Sequence, residues 1–212
     1  MRTSGFFITL EGGEGAGKST LIKGLEKHLL SKQKKLCVTF EPGATEFGKT
    51  IRSILLDPKN TMPSEAEFFL YLTDRAYHVE NVIIPALQEG KVVICDRFTD
   101  SSVAYQGAGR DFVPMKDIEQ MSLVATKGLC PDLTFYLDVS PEKALDRIKR
   151  PKDRLESETI AFHQKVRKGY LLLAEENPHR IVVINADESI ENVLHSAIGH
   201  VDTWLQSKLL KI

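Results

Sequence analysis

The run Gly12-Gly13-Glu14-Gly15-Ala16-Gly17-Lys18-Ser19 satisfies every fixed position of the phosphate-binding pattern G-x-x-x-x-G-K-[ST]. Residues of these types at this spacing cradle a nucleoside triphosphate. Glycines let backbone N–H groups curl around phosphate oxygens with no Cβ in the way, and a helix starting at the loop turns its positive end to the same anion. Lys18 is placed to reach the outer phosphates and Ser19 to ligate Mg2+ through its hydroxyl, with Thr20 next in line at the helix start. A chance Gly-rich turn lacks the two flanking signals present here. Phe6-Phe7-Ile8-Thr9-Leu10 ahead of the loop is a short apolar run of strand type, and Leu21, Ile22, Leu25, Leu29 and Leu30 behind it recur at helical spacing.

Phosphoryl transfer from such a loop requires an acceptor held in line with the γ-phosphate and charge neutralised on its equatorial oxygens. If the acceptor is itself a phosphate, repulsion between two polyanions is the obstacle, and arginines around a magnesium-bound triphosphate are the remedy. Arg97 directly follows an apolar run, and its neighbour Asp96 stands at the strand end where a Walker-B magnesium ligand belongs. Arg52 and Arg75 fall on helical patterns, where a solvated surface cation is the ordinary reading and an acceptor clamp the chemical one. Arg147, Lys149, Arg150, Lys152 and Arg154 surround Pro151, so the segment at about 147–158 is either a charged surface loop or a lid that folds arginines onto the triphosphate. The phosphate loop bears on that choice. Its variable positions Gly13, Glu14, Gly15 and Ala16 contain no arginine, so the transition-state cation has to come from elsewhere, and this segment is the richest source. Which of Arg147, Arg150 and Arg154 reaches the γ-phosphate stays open at this level.

The elements that must position these groups follow from periodicity. Strand-type runs recur at Leu36-Cys37-Val38-Thr39-Phe40, Lys91-Val92-Val93-Ile94-Cys95, Leu133-Thr134-Phe135-Tyr136-Leu137-Asp138-Val139 and Arg180-Ile181-Val182-Val183-Ile184. Between them lie helical patterns over about 45–56, 64–89, 100–106, 114–127, a helix begun by Pro141, one ending near Glu176, and a last amphipathic helix through Val193, Ile198, Val201, Trp204 and Leu205. Ser64 and Glu67 have the spacing of a capping box, Pro85 is expected to kink or divide its helix, and Gly90 to stop it. Five short apolar strands alternating with helices predict an α/β domain, a parallel sheet covered on both faces. Ligands of such sheets bind beyond the strands' carboxyl ends. That selects residues 12–19, Glu41, Asp96-Arg97, Asp138 and Asp187.

A chain of 212 residues suits one such domain over 1–212 with a small lid. Its 28 basic and 29 acidic residues cancel, so no global field recruits nucleic acid or an anionic membrane. No signal-peptide pattern and no apolar run long enough for a membrane span is present, which makes a soluble cytoplasmic protein the default expectation. Cys37, Cys95 and Cys130 lack paired metal-type spacing, and Cys37 and Cys95 fall in strand-like runs as buried reduced thiols.

Taken with Glu41-Pro42-Gly43, Ile51-Arg52-Ser53-Ile54-Leu55-Leu56-Asp57, Asp96-Arg97-Phe98, Asp100-Ser101-Ser102-Val103-Ala104-Tyr105-Gln106-Gly107 and the run from Pro131 to Asp138, the phosphate loop resembles bacterial thymidylate kinases over essentially the whole length. The D-S-S-x-A-Y-Q-G run is far more specific than the loop, which by itself names only a superfamily of P-loop kinases. The resemblance implies a three-layer P-loop kinase fold with sheet order 2-3-1-4-5, ATP and dTMP as substrates, Mg2+ as cofactor, dTDP and ADP as products for dTTP synthesis, and a homodimer. At matching positions it implies that Arg52 and Arg97 hold the dTMP phosphate and that Arg75 meets the pyrimidine edge. It also implies that Tyr71 stacks on the base, Ser102 and Gln106 read the thymine, Tyr105 packs on the sugar where a 2′-hydroxyl would crowd it, and Glu14 approaches the 3′-hydroxyl. Members with an acidic residue and no arginine in the loop carry catalytic arginines in the lid, here Arg150 and Arg154. Two departures stand out. Phe40 and Ala44 replace an arginine and a glycine that often flank E-P-G, and Tyr71 stands where phenylalanine is common.

Two other functions compete on sequence. A kinase for another nucleoside monophosphate, dUMP for example, differs in its acceptor by as little as one methyl, worth about 1–3 kcal/mol in a pocket. A P-loop switch of GTPase type needs a guanine-reading N-K-x-D run, and the chain has none.

Overall fold

A computed structural model describes residues 5–209. Five strands, β1 (Phe6–Glu11), β2 (Leu36–Phe40), β3 (Val92–Asp96), β4 (Leu133–Asp138) and β5 (Ile181–Asn185), form one parallel sheet in the order β2-β3-β1-β4-β5. The expected order and fold are thus observed. Central β1 is buried at every position, as a parallel strand covered on both faces must be. Its alternation assigns the two faces. Phe6, Ile8 and Leu10 pack with Val92, Ile94, Phe135 and Leu137 under α1 (Lys18–Ser31) and the last helix, where Trp204 stacks on Phe6 at 3.5 Å. On the opposite face Phe7 packs with Val93, Cys95 and Phe98. Cys95 is buried, whereas Cys37 on β2 is half-buried and Cys130 exposed.

The remaining helices are α2 (Glu46–Leu56), α3 (Ser64–His78), α4 (Ile84–Gln88), α5 (Thr99–Ser102), α6 (Met115–Ala125), α7 (Pro141–Asp146), α8 (Ile160–Glu176) and α9 (Ile190–Leu209). Pro85 does divide its long helix. Lacking an N–H, it cannot continue the ladder, and the chain widens into a π-turn over Val79–Ile83 before α4 resumes. Gly90 ends α4 at φ +75°. The Ser64–Glu67 capping box does not form: Pro63 occupies the cap with no side-chain bond, and Glu67 is buried in a different network. A second π-turn, Val103–Gly109, follows the short α5 where a regular helix was expected, and its Gly109 allows Phe162 and Val166 of α8 to approach closely.

Every strand end of interest lies on one edge. Glu11, Glu41, Asp96 and Asp138 follow or close β1, β2, β3 and β4 there, where the loops to α1, α2, α5 and α7 open. Among the described residues, no helix is long and apolar enough to cross a membrane.

Candidate active site

Backbone geometry builds the phosphate loop. Gly12, Gly15 and Gly17 take φ of +140°, +75° and +98°. A Cβ on Gly15 would come within 2.0 Å of the Ala144 carbonyl oxygen, so the loop presses on α7 with no room for a side chain. Lys18 curls over the loop, its Nζ donating to the Gly12 and Gly13 carbonyls at 3.1 Å. Burial and the nearby Arg97 both push the Lys18 pKa down. Ser19 and Thr20 are exposed at the helix start.

Asp96 closes β3, and its Oδ1 is buried with no hydrogen-bond partner among the described residues. A buried oxygen left unmatched points to a cation or its water shell. No cluster of three His, Cys, Asp or Glu side chains among the described residues could hold a metal alone.

Arg97 follows in a left-handed backbone conformation at φ +71°. Its Nη2 donates to Glu14 Oε1 at 2.6 Å and to the Tyr105 hydroxyl at 3.2 Å, while Nη1 donates to Ser101 Oγ at 3.1 Å and to the Tyr170 hydroxyl at 3.3 Å. Burial alone would raise the Glu14 carboxyl, but Arg97 and Lys18 override it and hold Glu14 well below the usual carboxylate range. Below Arg97 lies Glu11, fully buried, which accepts from Phe98 N, Ser101 and Tyr170. Burial, then the neighbouring Asp100 carboxylate, push Glu11 up to about 7 against the pull of Ser101 and Arg97.

Arg75 is 1% exposed and held on three sides, by Glu41 Oε2 at 2.8 Å, Ser102 Oγ at 2.9 Å and the Phe98 carbonyl at 2.9 Å. His78 bridges Glu41 and Thr39, so Glu41 serves as the hub that orients Arg75. Gln106 donates through Nε2 to Glu67 at 2.9 Å, which leaves its Oε1 to accept elsewhere. Arg52 donates to the Pro42 carbonyl and lies 5.8 Å from the centre of the Phe40 ring. The phenylalanine that departs from the family pattern therefore shelves a cation instead of adding one.

A cavity of about 780 Å³ joins these groups, lined at one end by Glu14–Thr20 and Arg147 and at the other by Glu41, Arg52, Tyr71, Arg75, Ser102, Tyr105 and Gln106, with Asp96 and Arg97 between. Gly12 and Gly13 meet it through the Lys18 contacts. One further match places the chain in a family. A family model described as thymidylate kinase fits residues 10–198. The chain belongs to the thymidylate kinase family. Two relatives named thymidylate kinase, from Lactobacillus acidophilus and Halothermothrix orenii, are 46% and 48% identical, covering 98% and 92% of this chain and 98% and 95% of their own. The crystal structure of thymidylate kinase from Ehrlichia chaffeensis superposes with a TM-score of 0.76 at 32% identity, over 93% of this chain and 98% of that one.

The arginines of the 147–158 segment diverge. Arg147 donates to the Gly15 and Ala186 carbonyls, across the mouth of the phosphate loop. Arg150 is exposed and forks onto the buried Glu156 carboxylate at 2.8 and 2.6 Å. Arg154 turns the other way. Its Nε donates to the Leu55 carbonyl of α2, and its Nη2 lies 2.6 Å from Glu67 Oε2, an ion contact outside hydrogen-bond angles. Sequence reasoning missed Glu11, Tyr170, Glu67 and Arg110, whose guanidinium donates to Glu67 at 3.2 and 3.0 Å and to Glu158 at 2.6 Å. For Glu11 a signal existed, a carboxylate closing an otherwise apolar strand at the phosphate loop. The others depend on contacts between distant segments.

Proposed function

We propose that this chain transfers the γ-phosphoryl group of ATP to dTMP, giving dTDP and ADP. The observation that carries the reading is one cavity in which a phosphate loop and an arginine-rich acceptor end meet at Arg97. Backbone N–H groups of residues 13–20 and Lys18 bind the triphosphate, with Arg147 over the loop on the donor side. Asp96 and Ser19 would hold Mg2+, which when bound neutralises charge on the transferring phosphate. Arg97 and Arg52 hold the acceptor phosphate. Glu14, kept ionised, accepts from a sugar hydroxyl, and Tyr105 packs beside it.

The base reading follows from which atoms stay unfilled. Gln106 Oε1 complements the N3–H of thymine, and the two guanidinium N–H groups that Arg75 does not spend on Glu41, Ser102 and Phe98 complement a pyrimidine carbonyl. Tyr71 offers an aromatic face worth about 1–3 kcal/mol of stacking. A purine is larger, and adenine presents an acceptor, N1, where thymine presents its N3–H donor.

The lid over 147–158 supplies the transition-state cation. Arg150, exposed and tied only within the lid, is the arm free to swing, whereas Arg154 anchors the lid to α2 and α3 at the acceptor end. A homodimer is part of the proposal. Phe47 and Tyr77 stand 4.9 Å apart on adjoining α2 and α3, both exposed, with Phe69 56% exposed along the same helix, an apolar face suited to a second copy. A cytoplasmic setting matches the need for ATP. Steady-state rates with dTMP, dUMP, UMP, CMP and AMP at saturating ATP test the acceptor. dTMP is expected to have the highest kcat/KM, and comparable turnover of AMP or CMP would overturn the assignment.

A further inference from the structure

Glu11 is not explained by substrate binding, yet two hydroxyl side chains, Ser101 and Tyr170, converge on it beneath Arg97. Ser101 Oγ, Tyr170 Oη and Glu11 Oε2 form a triangle with edges of 2.5, 2.8 and 3.0 Å. Three such edges require three hydrogens. An ionised Glu11 leaves the two hydroxyl hydrogens to serve all three, and one edge would then set lone pair against lone pair. Arg97 Nη1 donates to both hydroxyl oxygens from outside the triangle and cannot fill an edge. A proton on Glu11 Oε2 closes the ring, each oxygen donating once and accepting once within it, while Oε1 still accepts from Phe98 N at 2.8 Å.

We propose that Glu11 is a positioning residue that works as a neutral acid: it closes the Ser101–Tyr170 ring that seats Arg97 and leaves the arginine's charge to the acceptor's phosphate. Once ionised, it would draw that charge inward. The inference rests on the reading of Arg97 as the acceptor's phosphate clamp. Among the charged and titratable groups around Glu11, burial and Asp100 favour the neutral acid, whereas Arg97 and Lys18 pull toward the ionised form. Lys18 of α1, Cys95 of β3, Arg97 after β3, Asp100 of α5, Tyr105 of the second π-turn, Tyr170 of α8 and Arg180 before β5 all act on Glu11. Asp100 already consumes Arg180 in a two-pronged pair at 2.7 and 3.0 Å, so that cation does little for Glu11. With Glu11 neutral, Arg97 retains one carboxylate partner, Glu14, instead of two.

Two measurements test it. Carboxyl 13C NMR of the substrate-free protein, with Glu11→Gln used to assign the resonance, should show Glu11 titrating near neutrality. A midpoint in the ordinary carboxylate range would overturn the proposal. Separately, the wild-type KM for dTMP should rise about tenfold between roughly pH 6.5 and 8.5, a change equivalent to one unit of pKa, with kcat moving less than about twofold. The acceptor's own phosphate becomes more anionic over the same range and would lower KM, so the rise has the opposite sign. Glu11→Gln, neutral at all pH, should keep the low-pH KM and flatten the alkaline limb, whereas a merely structural Glu11 would leave that limb in place. Ser101→Ala, which removes the hydroxyl favouring the ionised form, should move the limb to higher pH and serves if Glu11→Gln fails to fold. If dTMP is not phosphorylated at all, the proposed function falls, and the NMR midpoint still decides where the proton sits.

Discussion

At Arg97 the backbone takes a left-handed φ of +71° that a non-glycine residue adopts only when its surroundings over-determine it. The surroundings do so here. Arg97 N donates to the Leu10 carbonyl, the Cys95 thiol donates to the Arg97 carbonyl, and four side chains accept from the guanidinium. Arg97→Lys keeps the charge but loses the fork, so kcat/KM for dTMP should fall by about two orders of magnitude, as expected when a close charged contact worth roughly 2–3 kcal/mol is lost. Glu11 makes a second prediction at this scale. A carboxyl raised from 4.5 to about 7 on folding stabilises the fold fully below pH 4.5 and loses that contribution as pH rises through 7. Relative to Glu11→Gln, the wild-type urea midpoint should decline between those values. A constant difference between the two across that range would contradict the raised pKa.

Among elements, the lid depends most on contacts that local sequence cannot show. Charge density marked the segment, but its fold is set by Asp153 and Glu156. The Asp153 carboxylate accepts from Leu155 N and Glu156 N, and the buried Glu156 carboxylate accepts from Asp153 N and Arg150. Arg150→Ala is expected to lower kcat by about 10²–10³-fold, in the range of losing one transition-state donor, with little change in dTMP binding. Arg154→Ala should instead loosen the lid's anchor, lowering kcat less and raising KM. Wild-type kcat in both variants and in the double variant would show the lid assignment to be wrong. Glu67 was read from its spacing as a capping residue, yet it is 1% exposed and carries Gln106, Arg110 and Arg154. Removing its charge in Glu67→Gln leaves Arg154 without a carboxylate while Arg110 keeps Glu158, and thermal unfolding should reveal a loss of about 3 kcal/mol. The π-turns were equally hidden. A 3.6-residue pattern shows that Val79–Ile83 and Val103–Gly109 are helical but not that each turn is widened.

The whole molecule was the most legible level. Alternating apolar runs and helical patterns specified the parallel sheet, and the P-loop with the D-S-S-x-A-Y-Q-G run specified the family. The rule that ligands gather at strand carboxyl ends picked out Glu41, Asp96 and Arg97, which line the cavity, whereas Asp138 is consumed by a two-pronged pair with Arg167. Association belongs to this scale. Tyr77→Asp combined with Phe69→Asp should convert the expected dimer to a monomer in sedimentation analysis, and a wild-type monomer would remove that part of the proposal. The central claim concerns where the phosphoryl group goes. 31P NMR of the protein with ATP, Mg2+ and dTMP follows it directly. The account predicts that the dTDP β-phosphorus signal grows in step with ADP, while ADP and inorganic phosphate appearing without dTDP would contradict it.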